Sequence, residues 1–270
     1  HLNTGGITHY VLTLSRQLVQ NGHQVIIASG RGEKLAELER IGVKHWGSPF
    51  HASVEFSPRV FQGIYQLAKL LRQEPVDVIH AHTRVGQVAA AIVSRWLKIP
   101  YVTTWHGVYK TRLGRLLWPC TGVRTIAVSE LVREHLQKDF HVPLERICRI
   151  YNGVDVNYYA NIPSAEVVGE FCQRWGISTG EPVIGGIGRL ASGGVKGFDI
   201  LLAATHLLKR TIPNLKTLIV GEGPRRSFLE DAARRLLIQE NVCFVGTSND
   251  IRIPLALMDV FVFTSRWPEA

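Results

Sequence analysis

The stretch VIGGIGRLASGGVKGFDILLAATHLLKR, residues 183–210, runs from an apolar strand pattern through a glycine-rich turn into a helical pattern. Gly186, Gly188 and Ala191 satisfy the loose G-x-G-x-x-G/A spacing of a dinucleotide fold. A true fingerprint of that kind starts its helix at the last glycine and carries an acid about 20 residues on, at the end of the next strand. Here the helical pattern begins only after Lys196, and the next strand ends at Gly221 and Glu222, well beyond that spacing. The residues suit a diphosphate better: glycines let backbone amides approach phosphate oxygens, a helix N-terminus adds its positive end, and Arg189 and Lys196 supply charge. The plain alternative for Arg189 is a surface arginine after a strand.

Strand and helix patterns alternate on both sides of this stretch, which predicts parallel sheets covered by helices and an α/β class. Upstream, an amphipathic helix over ITHYVLTLSRQLVQ precedes QVIIAS. VKHW, a helix near 58–73, VDVIHAH, a helix near 86–97, PYVTTW, VRTIAVS, a helix near 129–138 and RICRIYNGVD follow. After NYYANIPSAE the alternation restarts with PVIGGIG, LKTLIVG, NVCFVG and DVFVFTS. Two Rossmann-like halves are expected, 1–160 and 161–270.

Composition narrows the class. At 270 residues and 46% hydrophobic side chains the chain can build two cores, and no apolar run reaches the roughly 18 residues of a membrane span. Cys120, Cys148, Cys172 and Cys243 lack paired spacing, as expected of reduced thiols in a cytoplasmic protein. Residues 1–160 hold 19 Lys and Arg against 11 Asp and Glu, whereas 161–270 hold 12 against 11. Between Asp77 and Glu130 there is no acid, yet seven cations lie there, interleaved with Trp96, Trp105 and Trp118. No nucleic-acid module is recognisable, so a nucleic-acid partner is not expected. YKTRLGRLLWP instead sets Lys110, Arg112 and Arg115 among leucines beside Trp118, a pattern suited to an anionic membrane surface; the alternative is a solvated basic face.

Taken in order, GGITHYVLTLSRQLVQNGHQV, DVIHAH, TTWHG, AVSE, YNGVD, GRL…KGFDILLAA, LIVGEGP, FVG and PEA resemble the retaining family 4 glycosyltransferases of the GT-B fold, over the whole chain. The resemblance implies two Rossmann-like domains facing across a cleft, the C-terminal one holding a nucleotide-sugar donor and the N-terminal one a glycan or lipid-linked acceptor. Arg189 and Lys196 would clamp the donor diphosphate, and Glu269 would open an E-x7-E motif touching the donor sugar. Gly5 and Gly6 would border the same phosphates, and His106 would lie beside the transferred sugar. Gly188, Gly221, Glu222, Gly223, Val245 and Gly246 would complete the donor side.

The implied activity is transfer of a sugar from a nucleoside diphosphate to a cell-envelope or lipid-linked acceptor, on the inner face of the cell membrane, with no cofactor beyond the donor co-substrate. No D-x-D occurs in the sequence, so a metal is not expected; His80 and His82 share a strand face but lack a third ligand with motif spacing. A nucleotide-sugar epimerase of the same fold, or a non-catalytic nucleotide-sugar-binding or membrane-docking module, are the alternatives. Between GRL and KG the spacer is two residues longer than is usual in the family, and Gly193 and Gly194 permit the bulge this demands. The resemblance also leads one to expect a strand before His1 and the second glutamate after Ala270, and an inactive fragment without them.

Overall fold

Strand β8, Lys216–Val220, is apolar on both faces, because Leu218 and Val220 pack into one core and Ile219 into another. Such a strand belongs at the middle of a covered parallel sheet. The computed structural model describes residues 2–3, 5–47 and 58–266, apart from the Arg59 side chain. It divides into two compact units, His1–Val154 and Asp155–Glu269.

The first unit carries α1 (Gly6–Gln20), β1 (Ile26–Ser29), α2 (Leu35–Arg40), β2 (Lys44–Gly47), α3 (Pro58–Gln73) and β3 (Ile79–Ala81). After these come α4 (Arg84–Leu97), β4 (Tyr101–Trp105), α5 (Leu113–Leu117), β5 (Arg124–Ala127), α6 (Glu130–Lys138) and β6 (Ile147–Arg149). Strands β3-β4-β5-β6 form one parallel sheet in that order, and β1-β2 form a second. Ile26 and Ala28 of β1 and Ile79 of β3 pack against one core built by α3 and α4 around Val60, Ile64, Ala89 and Val93.

The expected helices near 58–73, 86–97 and 129–138 lie at 58–73, 84–97 and 130–138. The side chains of Thr83 and Ser129 set the starts of the last two by accepting from the Gly86 and Val132 amides at 3.2 Å. Trp105 is not on the basic face its neighbours suggested: it is 1% exposed, inside a core with Phe140, Val132 and Leu136. The four cysteines are free thiols, Cys120 and Cys243 buried and Cys148 and Cys172 half-buried.

The second unit contains α7 (Val156–Ala160), α8 (Ala165–Trp175), β7 (Val183–Ile187), α9 (Phe198–Leu208), β8, α10 (Arg226–Arg235), β9 (Val242–Gly246), α11 (Arg252–Leu257) and β10 (Val260–Phe261). Its parallel sheet has the order β10-β7-β8-β9. Leu201, Leu202, Leu229 and Ile238 fill one side; Ile177, Val183 and Cys243 lie in the core on the other.

The division falls at 154/155 rather than at the expected 160/161, and the reason is chemical. Asp155 caps α7 by accepting from the Tyr158 amide at 3.0 Å. Tyr158 donates its hydroxyl to Asp250, 3.2 Å away. Arg252 pairs with Asp250, donates to the carbonyls of Tyr158 and Asn161, and lies 4.1 Å over the Tyr158 ring. Helix α7 is therefore clasped to α11.

Candidate functional site

After β7 the chain makes a chain of tight turns. Gly188 donates to Val220 and Leu190 to Glu222, at 2.9 and 3.0 Å, which locks the loop onto the end of β8. The amides of Gly194 and Gly197 then bond the carbonyls of Ala191 and Gly194, both at 3.0 Å. This is the bulge that the long spacer requires. Gly197, at φ 63°, enters α9 with no side chain capping that helix. The uncapped first turn thus presents its positive end beside the loop.

Lys196 folds back across Gly188, where an added Cβ would stand 3.1 Å from its Cδ. Gly221 is closer still, since a Cβ there would sit 2.0 Å from the Gly188 carbonyl oxygen, and its φ of 140° also favours glycine. A pocket results, lined among others by Arg189, Leu190, Gly194, Lys196, Phe198 and Arg225. Arg189 and Lys196, paired from sequence, both line this pocket, and Lys196 lies across Gly188. Thr264 donates to the Lys196 carbonyl and Arg266 to that of Val195, at 3.0 and 2.9 Å, backing the loop from behind. Asp199, in the first turn of α9, pairs with Arg266 and leaves its Oδ1 buried with no hydrogen-bond partner among the described residues.

The other donor-side residues divide. Gly223 presses on the Leu190 carbonyl, where a Cβ would come within 2.3 Å, and Gly246 accepts from the Gly221 amide. The Glu222 carboxylate is taken by Arg226, and the Val245 side chain packs into the core shared with Leu218 and Val220. Glu269 lies outside the described residues. Arg225 was missed from sequence, although the tandem Pro224-Arg225-Arg226 after GEG was a signal for it.

In the first unit the end of β3 and the end of β4 bring three imidazoles together. His80 and His82 have ring centroids 4.1 Å apart, and His82 and His106 5.5 Å. His82 Nδ1 and His106 Nε2 are hydrogen-bonded at 3.3 Å, and His80 Nε2 meets the Thr104 hydroxyl at 2.7 Å. Tyr10 of α1 stands edge-on to the His106 ring at 4.9 Å. Burial disfavours the imidazolium form, holding His80 and His106 down to about 4, while His82 goes lower still under burial and the fields of its two neighbours. Neutral rings that share a hydrogen bond divide donor and acceptor roles between them, which couples the His106 tautomer to that of His82. Sequence reading missed that His106 joins the pair. Among the described residues no group of three His, Cys, Asp or Glu side chains is arranged to hold a metal.

Below this cluster, His135 of α6 accepts from the Tyr109 amide at 3.1 Å and is bonded to Asp139, pinning the loop that follows His106. That loop leads to α5, where Leu113 and Leu117 are 72% and 77% exposed and Trp118 is exposed as well. Lys110 and Arg112 are exposed, Arg115 lies over the Tyr109 ring, and Arg84 donates to the carbonyls of Trp118 and Pro119. Gly5 and Gly6 are exposed at the start of α1, which has no side-chain cap and no acid in its first turn. No helix among the described residues is long and apolar enough to cross a membrane.

A family model described as Glycosyltransferase Family 4 matches residues 4–158, and one described as Glycosyl transferases group 1 matches residues 169–270. The chain belongs to glycosyltransferase family 4. It is 28% identical over 264 residues to an uncharacterized glycosyltransferase of Methanocaldococcus jannaschii, covering 91% of this chain and 66% of that protein. To the alpha-monoglucosyldiacylglycerol synthase of Streptococcus pneumoniae it is 26% identical over 264 residues, 89% of this chain but 58% of the synthase. The chain thus spans roughly three fifths to two thirds of these relatives' lengths. Among solved structures, Anabaena HepE in complex with UDP-glucose matches with a TM-score of 0.81 at 21% identity, over 98% of this chain and 72% of that one. The fold is that of the GT-B glycosyltransferases.

Proposed function

We propose that the protein is a retaining, metal-independent glycosyltransferase that moves a sugar from a nucleoside-diphosphate donor to a lipid-linked or cell-envelope acceptor. The observation that carries this reading is the pocket after β7, lined by both Arg189 and Lys196 at the uncapped start of α9. Cleaving the anomeric bond leaves negative charge on the nucleoside diphosphate. Fixed cations and backbone amides aimed at that charge lower the barrier by roughly 3 kcal/mol for each well-placed group. Arg189 and Lys196 do this work without a metal, and Gly188, Gly221 and Gly223 keep the backbone near enough to take part.

On the acceptor side, a neutral His106 held by His82 offers a hydrogen bond beside the transferred sugar. The family resemblance assigns Glu269 to that sugar. The nucleotide-sugar donor is supported by HepE having been solved with UDP-glucose, and the lipid acceptor by the name of the pneumococcal relative. Exposed leucines among the cations of α5 support work at the inner face of a membrane, with the protein itself cytoplasmic.

The test is a screen of UDP-, GDP- and ADP-sugars with diacylglycerol and polyprenyl-phosphate acceptors. Transfer with retained anomeric configuration, unaffected by EDTA and lost in Arg189→Ala, is the expected result. Inverted product, dependence on a divalent cation, or an epimerised nucleotide sugar without transfer overturns it.

A further inference from the structure

Two arginines follow Pro224, and their surroundings are opposite. Arg226 is enclosed by the carboxylates of Glu222 and Glu230 and also donates to the Phe244 carbonyl at 3.1 Å, so its charge is neutralised within the protein. Arg225 makes no ion pair among the described residues. Its guanidinium rests on the Phe228 ring, 4.5 Å from the centroid, and reaches over Gly194, where an added Cβ would stand 1.8 Å from its Nη1. The Arg225 amide bonds the Leu190 carbonyl at 3.1 Å, which ties the root of this side chain to the same loop. The tip of Arg225 therefore lines the pocket that also holds Arg189 and Lys196.

We infer that Arg225 is a third cation of the diphosphate site, seated on Gly194 and braced by Phe228, and that it binds the donor's phosphates together with Arg189 and Lys196. The inference rests on the donor site proposed above and adds to it a residue outside the GRL…KG pattern. Three reasons carry it. Arg189 likewise has no ion pair among the described residues, and no carboxylate is among the described residues that line the pocket the two arginines share, so a bound anion would supply the countercharge. The nearby acid, Asp199, is turned to Arg266 and does not supply that countercharge. Stacking on an aromatic face also leaves the planar fork of an arginine free to meet two phosphate oxygens, a geometry a lysine does not reproduce.

Gly194 supports the same conclusion from the backbone. Its φ of 63° and its lack of a Cβ are both needed, the first for the turn and the second for the guanidinium lying on it. The glycines of the long spacer thus make room for Arg225 as well as bending the loop.

The experiment is titration calorimetry of the protein with UDP, GDP and ADP and with the matching monophosphates. Wild type, Arg189→Ala, Arg225→Gln and Arg225→Lys are compared at equal melting temperature. Arg225→Gln is expected to weaken binding of the recognised diphosphate about tenfold and that of its monophosphate by less than about threefold, with Arg225→Lys between the two. Unchanged diphosphate affinity in Arg225→Gln, with a loss in Arg189→Ala, overturns the role of Arg225 and leaves the donor site standing. Unchanged affinity in both, or no nucleotide binding by the wild type, removes the donor site itself. Should Arg225→Gln fail to fold, Phe228→Leu, which takes away the ring beneath the guanidinium, is expected to give the same selective loss, and unchanged diphosphate binding by it counts equally against the inference.

Discussion

His106 is worth more as a neutral ring than as a charged one. Its hydrogen bond to His82 needs a lone pair on one of the two facing nitrogens, and a proton added there would place a charge in a cluster of three half-buried imidazoles. The sign of the pH effect follows from the same burial. Folding holds His80 and His106 near 4, below the ordinary value near 6.5, so the folded state prefers the unprotonated cluster. That contribution to stability is complete above about pH 6.5 and is lost as the pH falls toward 4. His82→Gln should therefore flatten the fall in melting temperature between pH 7 and pH 5 relative to wild type; parallel curves would show that the cluster does not titrate as a unit. His106→Ala, by contrast, should cut turnover at least a hundredfold while shifting the melting temperature little, because the ring is only half-buried. A large loss of stability with normal activity in the surviving folded protein would make it a structural histidine. The presence of His106 at a strand end was legible in the sequence, but the sharing of its nitrogen with His82 was not, since that contact joins residues 24 apart through the pairing of β3 with β4.

At the level of elements, the long amphipathic helices and the apolar strands announced themselves by period, whereas α2, α5 and α7 did not. Helices of five or six residues complete too few turns to show a period, and each forms here because tertiary contacts or caps hold it. Arg225 escaped notice for a related reason: the partner that defines its role, Gly194, lies on a different loop. Helix α5 has its own testable consequence. Leu113 and Leu117 are exposed on it, and Lys110, Arg112 and Arg115 flank or interrupt them. Each cation near an anionic leaflet contributes about 1 kcal/mol, and the short apolar patch limits insertion to the headgroup boundary. Co-sedimentation with vesicles containing phosphatidylglycerol should thus be reversible by salt and should drop when Lys110, Arg112 and Arg115 are changed together to Gln. Equal sedimentation on neutral vesicles, or no effect of the triple change, would return this face to plain solvent.

On the scale of the molecule, each core cluster of the described residues falls within one of the two units, which implies two cooperative units. Leu136 is fully buried in the core beneath β5 and α6, and Leu201 in the core beneath α9 and β8. The clasp of Arg252 on Asp250 and Tyr158 assigns α7 to the second unit, which leaves the exposed Ile150, Tyr151 and Val154 as the stretch joining the two. Chains of this kind depart from a single all-or-none transition. Removing three methyl-scale groups from a sealed core costs about 2–5 kcal/mol, enough to lower the melting temperature of a unit this size on the order of 5–10 °C. Leu136→Ala should accordingly shift one transition in scanning calorimetry and Leu201→Ala the other. Saturating nucleoside diphosphate, on the proposed reading held mainly by the second unit, should raise the transition that Leu201→Ala lowers more than its companion. A single transition moved equally by both substitutions would overturn the two-unit account, because it would mean that neither core can melt while the other stands.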